Sequence, residues 1–168
     1  MNPIIKLRAL EPEDLDLLYR IENDHELWEV GISNVPYSRY VLRDYIAHAQ
    51  GDIYQDQQVR LIIENDEGRV VGIADIVNFD AKNLRAEVGI VILKEFRRKG
   101  YAKATLKELG SYALRTLHLH QLYVYVDGNN ETSIQLFKNC GYQICATLHD
   151  WLYDGLKYHD AVLMQRFF

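Results

Sequence analysis

The chain has 168 residues, a length and composition typical of a single folded domain. Its 48% hydrophobic and 26% charged residues exclude a disordered chain, and its net charge of −5 argues against general affinity for nucleic acid. The N-terminus lacks a charged-then-apolar signal segment, and no apolar run approaches the length of a membrane span. We therefore expect a cytoplasmic protein with no membrane partner.

The first part of the chain predicts a strand and two helices. Residues 6–9 favour a short strand. Pro12 stands where a helix can begin, and the acidic residues after it suit a helix N-terminus. Ser38 is a suitable N-cap for a second helix, because apolar residues recur at helical spacing beyond it.

Three strands and a long helix are predicted next. Residues 59–64 and 69–77 indicate the two strands of a hairpin. Residues 78–84 predict a polar connection, and residues 87–93 a third strand. Apolar residues then recur at three- and four-residue steps through residues 102–117, which predicts an amphipathic helix.

The last part of the chain predicts a strand at residues 121–126, a short helix capped by Asn130, and a final hairpin of residues 143–152 and 158–166. This order of elements gives an α/β (α+β) fold class. We expect one domain over residues 1–168, with a mixed, mostly antiparallel sheet flanked by helices.

A basic loop, FRRKGYA at residues 96–102, connects the third predicted strand to the long helix. A helix start offers free backbone N–H groups and the positive end of the helix dipole, which favour an anion such as a pyrophosphate. Gly100 lets backbone approach a ligand closely, and the basic side chains add charge-assisted contacts. Neither GxxxxGK[ST] nor GxGxxG occurs in the sequence. Taken alone, such a loop is more often a solvated turn than a ligand site.

Two separated motifs carry a family resemblance. The pattern R-x-x-G-x-A begins at Arg97, and N-x-x-S-x-x-L-F-x-x-x-G-Y begins at Asn130. Together they resemble the GNAT superfamily of N-acetyltransferases, whose order of elements agrees along nearly the whole chain. Within it, KLRALEPEDL (residues 6–15), LRAEVGIVI (84–92) and LYDGLKYHDAVLM (152–164) look most like bacterial spermidine N-acetyltransferases. Ribosomal-protein N-terminal acetyltransferases share much of the pattern.

The resemblance implies acetyl-CoA as the donor and a small-molecule amine as the acceptor. Backbone groups of the third predicted strand would pair with the pantetheine arm, and one N–H would polarise the thioester carbonyl. The loop would hold the pyrophosphate, Asn130 would lie beside the pantetheine, and Lys138 would reach the phosphates. The implied cofactor-binding residues are Ile90, Val91, Ile92, Arg97, Arg98, Lys99, Gly100, Tyr101, Ala102, Asn130 and Lys138.

Acetylation of an alkyl amine requires a proton acceptor, because an amine with a pKa of about 10.4 is almost entirely protonated at pH 7. Glu87 is the first candidate for this base, and Asp75 on the neighbouring strand is the second. Either carboxylate could instead bind the cationic acceptor or be structural. Glu29 is the one acidic residue in residues 28–37, a region in which the spermidine enzymes carry several, so another amine, an aminoglycoside-like compound or a peptide N-terminus could also fit.

The sequence departs from the family pattern at the residue that protonates the leaving thiolate. Related enzymes often place a tyrosine after the leucine of the second motif to protonate the CoA sulfur, and this chain has Phe137 there. Tyr142 is the candidate donor that we assign, with Tyr101 and Tyr125 as alternatives, and water could also protonate a thiolate. An acetyl-CoA-binding module without efficient chemistry is the second class of function.

The remaining expectations concern metals and partners. His118 and His120 lack acidic or thiol companions, so we predict no metal site. The family resemblance implies a homo-oligomer, a dimer or larger.

Overall fold

A single sheet of seven strands organises the domain, in the order β1-β2-β3-β4-β5-β7-β6. The structure is a computed structural model, and it describes residues 3–28, 35–49 and 51–168. The strands are β1 Ile5–Ala9, β2 Val59–Asn65, β3 Val70–Asp80, β4 Arg85–Ile92, β5 Gln121–Asp127, β6 Gln143–Tyr153 and β7 Tyr158–Phe167. The α-helices are α1 Leu15–Glu22, α2 His25–Trp28, α3 Arg39–His48, α4 Ile53–Asp56, α5 Tyr101–Arg115 and α6 Glu131–Asn139.

Local sequence signals fix the helix starts. A 3-10 turn at Pro12–Asp14 leads into α1, and the carboxylate of Asp14 accepts hydrogen bonds from the Glu11 N–H and from Arg8. The Ser38 hydroxyl accepts from the Val41 N–H and caps α3 as predicted. These caps use backbone donors that would otherwise be unpaired at the helix ends.

The two faces of the sheet differ in what covers them. On one face, α5 places Leu106, Leu109 and Ala113 against buried residues of the central strands, including Val88 and Leu122. This is the main core. On the opposite face, α1 packs a smaller cluster on the strands of the first half of the sheet, formed by Leu17, Ile21, Ile62 and Ile73. We call this second side the α1 face.

The direction of strand pairing changes between β4 and β5. Every other strand pair is antiparallel, whereas β4 and β5 are parallel and are joined by α5. Their pairing runs only from Arg85↔Gln121 to Glu87↔Tyr123. Beyond Glu87 the two strands separate, and a gap opens in the middle of the sheet.

The predicted fold class is confirmed, with differences at element boundaries. The polar connection predicted at residues 78–84 is wrong at its start, because β3 continues to Asp80 and buries Phe79 in the core. A register shift between Val77 and Asp80 breaks the alternation there, so the strand pattern is not visible in the sequence. The helices α2 and α4 were not predicted, since four residues are too few to show helical periodicity.

Candidate active site

The open edge of β4 forms one wall of the gap. The Leu93 N–H donates to the Val71 carbonyl, so the peptide groups of Leu93 and, by alternation, of Val91 face β3. The peptide groups of Ile90 and Ile92 therefore face the gap. The Ile92 carbonyl there accepts a hydrogen bond from Nε of Arg97 at 3.0 Å. Of the three strand residues predicted to meet the pantetheine, Ile90 presents its N–H and C=O most directly, and Val91 has its own already paired with β3.

The basic loop lies at the end of this edge, as the sequence predicted. A 3-10 turn at Lys94–Phe96 follows β4, and α5 begins at Tyr101. Arg98 and Gly100 both have left-handed backbone, with φ of 60° and 86°. Such a turn aims successive N–H groups at one point. In the part of the chain that the structure describes, no side chain caps α5, so its first-turn N–H groups have no side-chain partner.

The basic side chains of the loop are exposed, and they differ in their contacts. Arg97 is tied to the end of β4 through Ile92. The Lys99 ammonium lies 5.5 Å from the centre of the Phe96 ring. That ring also meets Tyr101 edge-on, with centroids 5.9 Å apart. The loop thus packs on the rings of Phe96 and Tyr101, and its cationic side chains are exposed. This arrangement is suited to binding phosphate.

The opposite wall of the gap is the start of α6. Asn130 is its N-cap, and its side-chain oxygen accepts from the Ser133 N–H at 3.0 Å. The side-chain amide N–H groups of Asn130 are not used by this cap. Lys138 lies exposed near the other end of the same helix.

Glu87 occupies the point where the gap opens. Its side chain is half-buried and lies on the α1 face, next to Tyr123 of β5. Burial raises the pKa of this carboxyl above its ordinary value, and a 2.8 Å hydrogen bond from Nδ2 of Asn78 to Oε2 opposes that rise. Asn78 reaches it from the bulge of β3, with φ of 50°. A half-buried carboxylate with a raised pKa is a better proton acceptor than an exposed one.

Asp75 lies on the same face, but its carboxylate is already paired. Arg60 on β2 donates two hydrogen bonds to it, at 2.8 and 3.1 Å. The same guanidinium also bonds Glu22 at the end of α1 and lies 5.9 Å from the Tyr45 ring centre. The ion pairs hold the pKa of Arg60 above its ordinary value. Glu29, the third predicted acceptor contact, lies outside the described residues.

Tyr142, the assigned proton donor, is in the core. Its ring meets Phe137 edge-on at 5.0 Å, and the residue is 2% exposed. Its hydroxyl has no hydrogen-bond partner among the described residues. Burial raises the pKa of this phenol well above its ordinary value. The role of Tyr142 stays a prediction, and this placement is unfavourable to it.

Two residues of the site were not identified from the sequence. Asn78 was assigned to a polar loop, and only the bulge directs its amide to Glu87. Arg60 appeared as an ordinary charged position of a strand. For each of these residues, the available signal was a polar side chain on a strand of the sheet. The partner of that side chain lies on another strand and is visible only in the register.

Comparison with known proteins decides the family. A family model described as an acetyltransferase (GNAT) domain matches residues 5–143. The chain belongs to the GNAT acetyltransferase family. The resemblance stated from the two motifs is thereby confirmed.

Individual GNAT proteins align with nearly the whole chain. The spermidine N(1)-acetyltransferase of Escherichia coli K12 is 31% identical over 163 residues, covering 95% of this chain and 84% of that protein. YdaF of Bacillus subtilis, provisionally named as a ribosomal N-acetyltransferase, is 30% identical and covers 96% of this chain and 90% of its own length. The spermidine N-acetyltransferase of Vibrio cholerae, solved with CoA and spermine, has a TM-score of 0.86 at 23% identity, over 97% of this chain and 95% of that one. At that identity, the structural likeness shows the shared fold.

The described ranges offer neither a metal site nor a membrane-spanning helix. Among residues 3–28, 35–49 and 51–168, no three His, Cys, Asp or Glu side chains are grouped so that they could hold a metal ion. None of the helices described is both long and apolar enough to pass through a bilayer.

Proposed function

We propose that this GNAT protein transfers the acetyl group of acetyl-CoA to a primary amine, and that the amine is a polyamine such as spermidine. The observation that carries the proposal is a half-buried carboxylate of raised pKa, Glu87, beside an open strand edge that ends in an anion-binding loop. The names of the E. coli and V. cholerae relatives support the polyamine as acceptor.

The proposed cofactor site runs along the gap. The pantetheine arm pairs with the peptide groups of Ile90 and with the Ile92 N–H, since the Ile92 carbonyl already accepts from Arg97. The pyrophosphate accepts hydrogen bonds from the N–H groups at the start of α5. Asn130 contacts the pantetheine from the opposite wall, and Lys138 and the cationic loop residues neutralise phosphate charge. Acetyl-CoA supplies the thioester, whose carbonyl carbon is the electrophile.

The chemistry is one acyl transfer. The neutral amine nitrogen attacks the thioester carbonyl carbon, and the Ile90 N–H donates to the oxygen on which negative charge develops. Glu87 takes the proton that the amine loses, directly or through a water molecule. The C–S bond breaks, and the CoA thiolate leaves with a proton from water or from Tyr142. Because a thiol has a pKa of about 8.5, a dedicated donor is not required for the thiolate to leave.

The acceptor's other charges meet the acidic residues of the α1 face. Asp75 contributes there together with Glu22, and Arg60 between them cancels part of their charge. We assign Glu29 to the same role. Electrostatic attraction between these carboxylates and the cationic acceptor is then the basis of acceptor binding.

The test is CoA thiol release by the purified protein, with spermidine, spermine, short diamines and peptides as acceptors. We expect turnover on polyamines and a loss of at least about a hundredfold in kcat for Glu87→Gln, which keeps the shape and the Asn78 hydrogen bond but cannot take a proton. Glu67→Gln, in an exposed ion pair on the β2–β3 turn, is the matched control. An unchanged rate for Glu87→Gln would contradict the role of Glu87.

A second candidate function is N-terminal acetylation of a ribosomal protein, favoured by the similarity to YdaF. Turnover on peptides with free N-termini and none on polyamines would select it. Binding of acetyl-CoA without turnover on any acceptor would instead favour a regulatory acetyl-CoA-binding module. In each case we propose that the protein is cytoplasmic and forms a homo-oligomer. Sedimentation of the purified protein tests the oligomeric state.

A further inference from the structure

A row of aromatic rings extends from Glu87 across the second half of the sheet. Tyr123 lies beside Glu87 in the β4–β5 register, and Tyr125 follows on the same side of β5 because side chains alternate along a strand. The Tyr123 and Tyr125 rings meet edge-on with centroids 5.9 Å apart. Trp151 of β6 stacks on Tyr125, with centroids 6.0 Å apart and ring planes at 24°.

This row stands on an open surface. The α1 face is covered by a helix over the first half of the sheet, and the rings continue over the second half. Tyr125 is 37% exposed and Trp151 56% exposed, and both therefore present ring area to solvent next to the gap. The alternate residues of β5, Leu122, Val124 and Val126, are buried in the core on the other side. The rings are consequently not needed to fill the main core.

Carboxylates flank the two tyrosines of the row along β5. Glu87 stands beside Tyr123, and burial together with the Glu87 charge raises the pKa of the Tyr123 phenol. Asp127 is two residues beyond Tyr125 on the same side of β5, and its Oδ1 accepts from the Asn129 N–H at 2.8 Å. Aromatic faces attract cations, and they also bind aliphatic chains. Rings between two carboxylates fit a chain that carries positive charge at its ends.

We propose that Tyr123, Tyr125 and Trp151 bind the aliphatic chain and the second ammonium group of a di- or polyamine acceptor while its first nitrogen reacts at Glu87. The inference rests on the proposed amine acetylation and names the specificity surface for it. Successive ring centroids lie 5.9 and 6.0 Å apart, so the row offers continuous ring surface to an aliphatic chain that extends from Glu87. A monoamine of the same length reaches Glu87 but has no charge to place on the rings.

The decisive comparison is 1,4-diaminobutane against butylamine. A cation–π contact at an exposed site is worth about a two- to fivefold change in affinity. The double variant Tyr125→Leu/Trp151→Leu should raise KM for the diamine by about five- to thirtyfold. It should raise KM for butylamine by a smaller factor, because butylamine has the aliphatic chain but no second charge, and it should leave the Kd of acetyl-CoA unchanged. Equal shifts for the two amines, or no shift for the diamine, would overturn the proposal.

Matched variants separate recognition from folding. Tyr125→Phe/Trp151→Phe retains both rings and should stay closer to the wild-type KM than the leucine pair. Tyr54→Leu removes an exposed ring that meets Phe79 edge-on at 5.2 Å on the other side of the sheet, and it should change neither KM. Trp151→Leu alone changes only a side chain that is largely exposed, so it tests the stacked ring if the double variant is unstable.

A binding measurement distinguishes failure of this inference from failure of the proposed function. In a Trp28→Phe background, Trp151 is the remaining tryptophan, and its fluorescence can be titrated with 1,4-diaminobutane in the presence of saturating CoA. A saturating change that Tyr125→Leu weakens supports the ring site even if no acetyl transfer is detected. The absence of any saturating change overturns the ring site, including the case in which acetyl transfer to amines is observed.

Discussion

Removal of the Asn78 side chain should change the pH dependence of acetylation in a predictable direction. Its amide donates to the ionised form of Glu87 at 2.8 Å, which lowers the pKa of a carboxyl that burial has raised. A hydrogen bond to a charged group is worth about 1.5–3 kcal/mol when buried, and exposure of Asn78 reduces this to about 1 kcal/mol. That corresponds to a rise of about half a unit to one unit in the pKa of Glu87.

Glu87 accepts a proton only when it is ionised, so the rate falls as pH drops through its pKa. Asn78→Gly should therefore move the acid limb of kcat/KM to higher pH by about half a unit to one unit, while the rate above that limb is retained. Glycine is chosen because position 78 has left-handed backbone. The assay is thiol release with spermidine, and the break in log(kcat/KM) against pH gives the pKa.

Asn83→Gly is the control for this experiment. Nδ2 of Asn83 donates to the Asp80 carboxylate at 2.7 Å, and this is also an exposed amide–carboxylate hydrogen bond, but it does not involve Glu87. An acid limb that stays in place in Asn78→Gly, moves to lower pH, or moves equally in Asn83→Gly would refute the assignment of the limb to Glu87.

Three further changes test the loop, the core and the charged cluster. Gly100→Ala places a methyl group in left-handed backbone and 3.0 Å from Cδ of Pro3, so it should raise the Kd of acetyl-CoA and lower stability by about 1–2 kcal/mol, measured by calorimetry and thermal melting. Tyr142→Phe removes a buried hydroxyl without a described partner and should raise Tm by about 2–4 °C; a large fall in kcat would instead show that Tyr142 donates the proton. Arg60→Met removes the cation that bridges the partly buried carboxylates of Glu22 and Asp75 and should lower stability by about 2–4 kcal/mol in a denaturant melt, whereas Arg69→Met, in an exposed pair, should change it by less than about 1 kcal/mol.

Much of the fold was predictable because its signals are local. Ser38 and Asn130 were identified as N-caps, and both side chains accept the expected backbone N–H. The basic loop was placed correctly between β4 and α5, since a glycine and cationic residues after an apolar strand are a short-range pattern. These features depend on residues a few positions apart, which a sequence displays directly.

The parts that escaped prediction depend on pairing between distant residues. The pairing of Asp75 with Arg60 was not predicted, because only the register places the two residues opposite each other. The burial of Tyr142 was not predicted either, because only the structure shows that the turn after α6 directs the ring into the core. Asn78 belongs to the site only because a bulge rotates it toward Glu87. None of these facts is visible without the sheet.

The short parallel pairing of β4 with β5 also has a consequence for folding and for ligand-linked stability. The two halves of the sheet are joined by β4 and β5, which pair at only three positions and are far apart in the sequence. To form this junction, the chain must close a long loop that contains α5. Contacts at the junction should therefore form late in folding, after the hairpins on each side. The acetyl-CoA site that we propose includes Ile90 on one half and Asn130 on the other, so it is complete only when the halves are docked. By mass action, the binding free energy of acetyl-CoA then adds to the stability of the docked state. Slowed hydrogen exchange at the junction amides would report occupancy of the site without any measurement of acetyl transfer.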